Sequence, residues 1–262
     1  MSSTGQQSAD FIKILHPALQ KANLSHVQIA CCDATGWQSQ ANITHDLRFE
    51  GVEDLIGVIT SHPYTSDING SLPTTRPVWE TEYSDLMGNW STEWYTTGHL
   101  GDGYAWANNI HNGLTNGNVS AYLWWLATQD RETNNNNNEK LILVDRGEFY
   151  VSKRFWAFAQ YSRTIRPGAI RVGIAGGTGL RSTAFVNADG STVVNVINTG
   201  TELVAVSIVG VKATTASAWV TDNSNDMTAV APAVGTDGSV SSITVPGRGL
   251  VSFVIKSLSI GA

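Results

Sequence analysis

The chain is poor in cysteine, proline and basic charge, and each shortage closes off a class of function. Its 262 residues hold 2 Cys, 7 Pro and 16 Lys plus Arg against 22 Asp plus Glu, for a formal net charge of −6. No Lys/Arg cluster is present that could follow a phosphate backbone, which argues against nucleic acid as a partner. Long apolar runs are missing as well. The Ala121–Ala127 stretch is far short of the roughly 20 residues that a membrane-spanning helix needs, so no membrane partner is expected. The two cysteines, Cys31 and Cys32, are adjacent. Across a trans peptide their Cα atoms lie about 3.8 Å apart, below the usual disulfide range, so no bridge between them is expected. No second Cys/His pair stands at ligand spacing, and neither a metal nor another cofactor is expected. Met1–Asp10 is polar throughout and shows no signal-peptide pattern. Sequons at Asn23, Asn42, Asn69, Asn89 and Asn118 are near chance for this composition and support secretion only weakly.

What the chain does have is apolar residues, at 42%, and 9 Trp, enough for a folded core. Seven of the tryptophans lie between Trp37 and Trp125. Concentrated tryptophan builds core, and on loops it offers flat stacking faces for sugar rings. The first two-thirds alternates helix-period and strand-like segments. Ser8–Ala22 carries apolar residues at helical spacing, and Val27–Cys32 reads as a strand followed by a long polar loop containing Trp37. Phe49–Leu55 is a weak helix candidate and Leu55–His62 a second strand. Pro77–Ser84 is the third strand, Asp102–Leu114 a helix stopped by Gly117 and Asn118, and Val119–Gln129 the fourth strand. Asn134–Asn138 reads as a solvated polar loop, and Val151–Thr164 as a closing helix. Strand–helix alternation of this kind predicts four parallel βα units. From Pro167 the period changes to two, with strands expected at Ala184–Asn187, Thr192–Asn198, Val204–Val211, Ser217–Thr221 and Leu250–Lys256. The organisation read from this is a barrel-like part over residues 1–167 and an antiparallel β-sandwich over 168–262.

The segment Pro77-Val78-Trp79-Glu80-Thr81-Glu82-Tyr83-Ser84 carries the chemistry. Buried strands are ordinarily completed with Val and Ile, because an unpaired carboxylate away from water costs several kcal/mol. Two Glu residues in such a run point to the C-terminal end of a barrel strand, where the catalytic residues of (β/α)8 enzymes sit, or to a solvated edge strand. Strand alternation predicts Glu80 and Glu82 on one face, about 6.6 Å apart.

The quoted strand belongs to a wider resemblance. Trp-Glu-Thr-Glu-Tyr-Ser-Asp at 79–85, Ser-His-Pro-Tyr at 61–64, Gly-Asp-Gly-Tyr-Ala-Trp-Ala at 101–107, Ala-Tyr-Leu-Trp-Trp at 121–125, Ser-Lys-Arg-Phe-Trp-Ala-Phe at 152–158 and Val-Pro-Gly-Arg-Gly-Leu-Val-Ser-Phe at 245–253 occur in order. In this the chain resembles the C-terminal half of fungal glycoside hydrolase family 30, the group of xylanases, glucuronoxylanases and endo-β-1,6-galactanases. The resemblance implies units five to eight of a (β/α)8 barrel with an antiparallel β-sandwich. It also implies retaining, endo-acting hydrolysis of plant cell-wall polysaccharide, xylan or glucuronoxylan first and β-1,6-galactan second, and secretion of the full-length form. Glu82 matches the family's nucleophile. His62 and Tyr64, just past the neighbouring strand, and Trp124, Trp125 and Trp37 are the substrate-binding candidates, with Trp94, Tyr95 and Tyr104 as outer-subsite or packing residues. Which of Trp124 and Trp125 faces the cleft stays open, and Glu80 reads as a supporting or solvated residue. The family's acid/base Glu stands in an Asn-Glu-Pro setting that this sequence lacks, since Asn138-Glu139 lies out of order. A truncated chain without the acid/base Glu is therefore expected. The alternative is a carbohydrate-binding remnant without turnover.

Overall fold

The computed structural model describes residues 3–132 and 137–257. They fall into two compact units, one comprising the chain up to Ser84 with Asn112–Trp125, the other Asp85–His111 with the chain from Leu126 onward.

In the first unit, helix α1 (Gly5–Lys21) opens on a reciprocal cap. The Thr4 hydroxyl accepts from the Gln7 amide, and the Gln7 side chain accepts from the Thr4 amide, which satisfies two otherwise orphaned donors. Ala9 and Ile12 on one stripe enter the core, with Leu15 and Leu19 packed against it. Strands β1 (Ala30–Ala34), β2 (Val58–Ser61), β3 (Val78–Tyr83) and the strand Ala121–Trp124 form a sheet in that order, every adjacent pair parallel. All four residues of β2 are buried, the mark of a strand covered on both faces. These are the βα repeats expected from the alternation, and they make up part of a (β/α)8 barrel.

Two local readings are corrected. The segment after β1 is no long polar loop, because helix α2 (Trp37–Phe49) occupies it. Its buried residues Trp37, Gln40, Thr44 and Leu47 keep helical spacing, but two are polar, so the hydrophobic period does not show. Gln40 accepts the Ala34 amide and donates to Thr44, which is how these polar groups are tolerated inside. Trp37 is consequently core: it is 1% exposed, and its indole N–H donates to the Gly70 carbonyl at 2.7 Å. Only a single turn, Glu53–Leu55, is helical where Phe49–Leu55 is expected to be. The second correction concerns Cys31 and Cys32. They form a disulfide across a cis peptide, with Cα atoms 3.0 Å apart, whereas the expectation against a bridge assumed a trans peptide.

In the second unit, antiparallel strands build two sheets. One runs in the order 170–172, 180–186, 192–198, 250–257, 213–221 and 228–230, the other 204–208, 240–245 and 233–234. Val194, Val196, Val245, Val251, Phe253 and Ile255 form their shared core, as alternating inward residues of a sandwich do. Helix Lys153–Thr164 is fastened to this sheet by Gln160, which donates to the Thr221 hydroxyl at 2.7 Å and the Leu250 carbonyl at 3.2 Å. The strand expected over Val119–Gln129 is interrupted after Trp124. Thr128–Asp130 pairs instead with Ile142–Asp145, which turns back into Glu148–Val151. Arg146 and Gly147 take positive φ at that turn, as a tight hairpin requires. Of the Asn-rich loop, residues 134–136 lie outside the described residues. Asn138 is buried rather than solvated, accepting the Ser91 amide at 2.8 Å and donating to the Asp85 carboxylate at 3.0 Å.

The burial difference between two tryptophans gives a stability test. Trp37→Ala is expected to cost about 3–5 kcal/mol, as large aromatic deletions in cores do, and Trp125→Ala, at 44% exposure, about 0.5 kcal/mol or less. Urea denaturation of the two variants measures both.

Candidate active site

The C-terminal ends of the parallel strands in the first unit bring together Asp33 from β1, His62 and Tyr64 beyond β2, and Glu82 from β3. Trp124 and Trp125 close the neighbouring strand. This is the end at which (β/α)8 enzymes carry their chemistry.

The local geometry is set by an irregularity in β3. Trp79 pairs with Ala121 and Glu80 with Tyr122, and pairing resumes at Tyr83 with Trp124. Thr81 and Glu82 therefore stand opposite a single residue, Leu123, which is a β-bulge. Bulges re-aim side chains and are over-represented beside active sites. The bulge also breaks the alternation that placed Glu80 and Glu82 alike on one face. Glu80 is fully buried and its Oε2 accepts the Leu123 amide at 3.3 Å, so it is neither solvated nor an edge residue. Burial pushes its carboxyl well above the usual carboxylate range, with the amides of Leu123 and Glu82 pulling the other way.

Glu82, two residues on, is only half-buried. The Tyr64 hydroxyl donates to its Oε1 at 3.2 Å and lies 3.5 Å from the Ser84 hydroxyl. The Tyr64 ring is held edge-on by Tyr83 at 5.4 Å and by His62 at 6.0 Å between centroids. Burial, followed by the nearby carboxylates of Glu82 and Glu80, raises the Tyr64 phenol above its ordinary range, so it stays a donor.

Asp33 is the residue that sequence reasoning missed. Its φ is +53° and the β1–β2 register shifts between Cys32 and Ala34, so it leaves the regular strand. Its carboxylate accepts the Thr81 hydroxyl at 2.7 Å and stands 3.5 Å from His62 Nε2, while its amide donates to the Thr60 hydroxyl at 3.2 Å. Three strands are thus tied together at one residue. The His62 contact, ahead of the Thr81 and Thr60 hydroxyls, lowers its pKa to about 2 against the cost of burial. The only sequence signal for it was an acidic residue at the end of a strand.

Of the tryptophans that end the fourth strand, Trp124 is half-buried and Trp125 is 44% exposed. Trp94, Tyr95 and Tyr104 belong to the second unit and pack there. Trp94 is buried and donates to the Arg248 carbonyl, and the Arg248 guanidinium lies over the rings of Tyr95 and Tyr104 at 5.3 and 5.6 Å. Among the described residues, no group of three or more His, Cys, Asp or Glu could hold a metal ion, and none of the helices described is long and apolar enough to cross a membrane.

Comparison with known proteins covers both parts of the chain. Residues 2–163 match the model of glycosyl hydrolase family 59, and residues 168–253 match that of the glycosyl hydrolase family 30 beta sandwich domain. The catalytic domain of GH30 xylanase C from Talaromyces cellulolyticus is similar with a TM-score of 0.91 and 35% identity, over 98% of this chain and 58% of that one. A GH30 endoxylanase from Clostridium papyrosolvens C71 follows at 0.72 and 21%, over 97% of this chain and 61% of that one. An endo-beta1,6-glucanase has a TM-score of 0.68 and 16% identity, over 97% and 54% of the two chains. The last two likenesses establish fold alone. The chain thus spans 54–61% of the length of these related glycoside hydrolase structures.

The Asp33 contacts carry a pH dependence of known sign. A carboxylate at about 2 in the folded chain and about 4 when unfolded stabilises above the higher value and loses that contribution as pH falls between the two. The melting-temperature gap between the unchanged chain and Asp33→Asn is expected to be widest above about pH 5 and to close towards about pH 2. A gap constant across that window would refute the assignment.

Proposed function

The chain belongs to the glycoside hydrolases, its residues 2–163 matching the family 59 model and its residues 168–253 that of the family 30 beta sandwich domain, and from that premise we propose that it carries the nucleophile side of a retaining, endo-acting xylan hydrolase. The observation that carries this reading is the Tyr64 hydroxyl donating to Glu82 at 3.2 Å at the C-terminal end of a parallel sheet. In a retaining reaction one carboxylate oxygen bonds to the anomeric carbon as the glycosidic C–O bond breaks. A second carboxyl group gives its proton to the departing oxygen, then removes one from the water that releases the sugar. Glu82 is the attacking group here. Tyr64 holds its rotamer so that one oxygen points at the substrate, which lowers the entropic part of the barrier. His62, with its Nε2 beside Asp33, presents the rest of its ring to a substrate hydroxyl, and Trp124 or Trp125 supplies a stacking face for a sugar ring.

The acid/base group is a different matter. It must stand about 5–5.5 Å from the nucleophile and be protonated when substrate binds. Asp33 is held ionised, and Glu80 is sealed inside the sheet with one oxygen committed to the Leu123 amide. We therefore place the acid/base outside the described residues. The 58% span of the xylanase domain supports this. The catalytic part is taken as residues 1–167, with the sandwich from 168, and a polymeric cell-wall substrate implies that the working enzyme is secreted. The xylanase likeness, at 35% identity, favours xylan over β-1,6-linked galactan and over binding without turnover.

An activated substrate separates the two halves of this claim. A 2-fluoroxyloside with a dinitrophenyl leaving group needs no protonation to depart, and its fluorine slows release of the sugar from the protein. Mass spectrometry is expected to find one fluoroxylosyl unit esterified to Glu82, with dinitrophenolate released, and none in Glu82→Gln. A label on another residue, or no label, would refute the nucleophile. Xylan itself should release no measurable reducing sugar, since a general acid is worth about 10²–10⁴ in rate. Release abolished by Glu82→Gln would mean that the chain contains its own acid.

A further inference from the structure

We propose that Glu80 is a positioning residue for Glu82, its buried carboxyl standing in for a main-chain carbonyl at the bulge and so setting the direction in which Glu82 leaves β3. The inference rests on Glu82 being the nucleophile. A β-bulge leaves one residue of the partner strand facing two, and the ladder there loses its regular hydrogen bonds. Leu123 is that residue, and its amide, left without an acceptor in the sheet, would go unsatisfied at a cost to the fold. Glu80 supplies the acceptor: it pairs with Tyr122, one residue before the gap, and its side chain reaches forward to the Leu123 N–H at 3.3 Å. The bulge is thereby satisfied from within the sheet. Thr81 and Glu82 are released from alternation, and each takes up its own partner, Asp33 for Thr81 and Tyr64 for Glu82.

The chemistry of Glu80 fits an acceptor better than a charge. It is 0% exposed, and among the described residues the titratable groups that face it are carboxyl and hydroxyl: Glu82 along the strand, the Tyr122 phenol across it and the Tyr64 phenol. An ionised carboxylate in that setting is costly, and the group is kept as the neutral acid instead. A neutral carboxyl accepts through its carbonyl oxygen as a peptide does. Its other oxygen, Oε1, has no partner among the described residues, and the same is true of the Tyr122 hydroxyl. Glutamine offers the same acceptor at the same reach, and leucine offers the same bulk with none.

The test compares Glu80→Gln with Glu80→Leu by two readings on the whole chain. Amide hydrogen exchange at Leu123 should stay protected in Glu80→Gln and lose protection in Glu80→Leu. The rate at which the dinitrophenyl 2-fluoroxyloside labels Glu82 should be kept in Glu80→Gln and fall by about 10²-fold in Glu80→Leu, the penalty for misplacing a reacting group by an ångström. A folded Glu80→Leu that keeps Leu123 protection or the labelling rate overturns the inference. Should Glu80→Leu not fold, Glu80→Gln decides: loss of protection or of labelling there overturns it, and retention of both upholds it. Failure of the nucleophile reading would look different, as an unchanged chain that takes no label while the exchange pattern holds.

Discussion

The hydrogen bond from the Leu123 amide to Glu80 is the contact on which the site's geometry depends. Parallel pairing would otherwise continue in register to the end of β3, and regular alternation would send Glu80 and Glu82 to the same side. One extra residue in β3 interrupts that register. It turns two chemically identical side chains into a sealed acceptor and an accessible carboxylate. The cost of the broken ladder is met locally, by a side chain that would be out of place in an unbroken buried strand.

Around Glu82 the supporting contacts come from several strands rather than one loop. Asp33 binds the Thr81 hydroxyl and the Thr60 hydroxyl and stands beside His62, so displacement of any one strand end is resisted by the others. Tyr64 is gripped between His62 and Tyr83 and in turn fixes Glu82. Rigidity of this kind is what a nucleophile needs, because the attacking oxygen must already lie near its final position. Protonation is divided by environment. Asp33, half-open and beside an imidazole, is held acidic, and Glu80, fully buried, is pushed the other way by its burial.

Much of this was legible in the sequence, for identifiable reasons. β2 stood out because buried parallel strands are runs of β-branched and apolar residues, and β3 because two Glu residues interrupt such a run. Glu82 stood out by its match to the family's nucleophile, and Tyr64 by its place just past the neighbouring strand, within reach of Glu82. Helix α2 was hidden by Gln40 and Thr44, which fill core positions as a hydrogen-bonded pair and erase the apolar period. Trp37 was misplaced for the same reason: on a loop it would face a cleft, and on the first turn of a helix it faces the core. The bulge could not be read at all. Its signature is a one-residue mismatch between strands about 40 residues apart, and nothing in the local sequence announces it beyond the presence of Glu80 itself. Asp33 was lost because its importance lies in contacts with β2 and β3, which only the fold brings near.

The central claim is that burial keeps the Glu80 carboxyl of β3 neutral while Glu82, two residues on, stands accessible. Infrared difference spectroscopy of the carboxyl C=O stretch near neutral pH tests it most directly. The expected spectrum contains a protonated-carboxyl band that disappears in Glu80→Gln and persists in Glu82→Gln. A spectrum without that band, or one that loses it in Glu82→Gln and keeps it in Glu80→Gln, would contradict the division of roles.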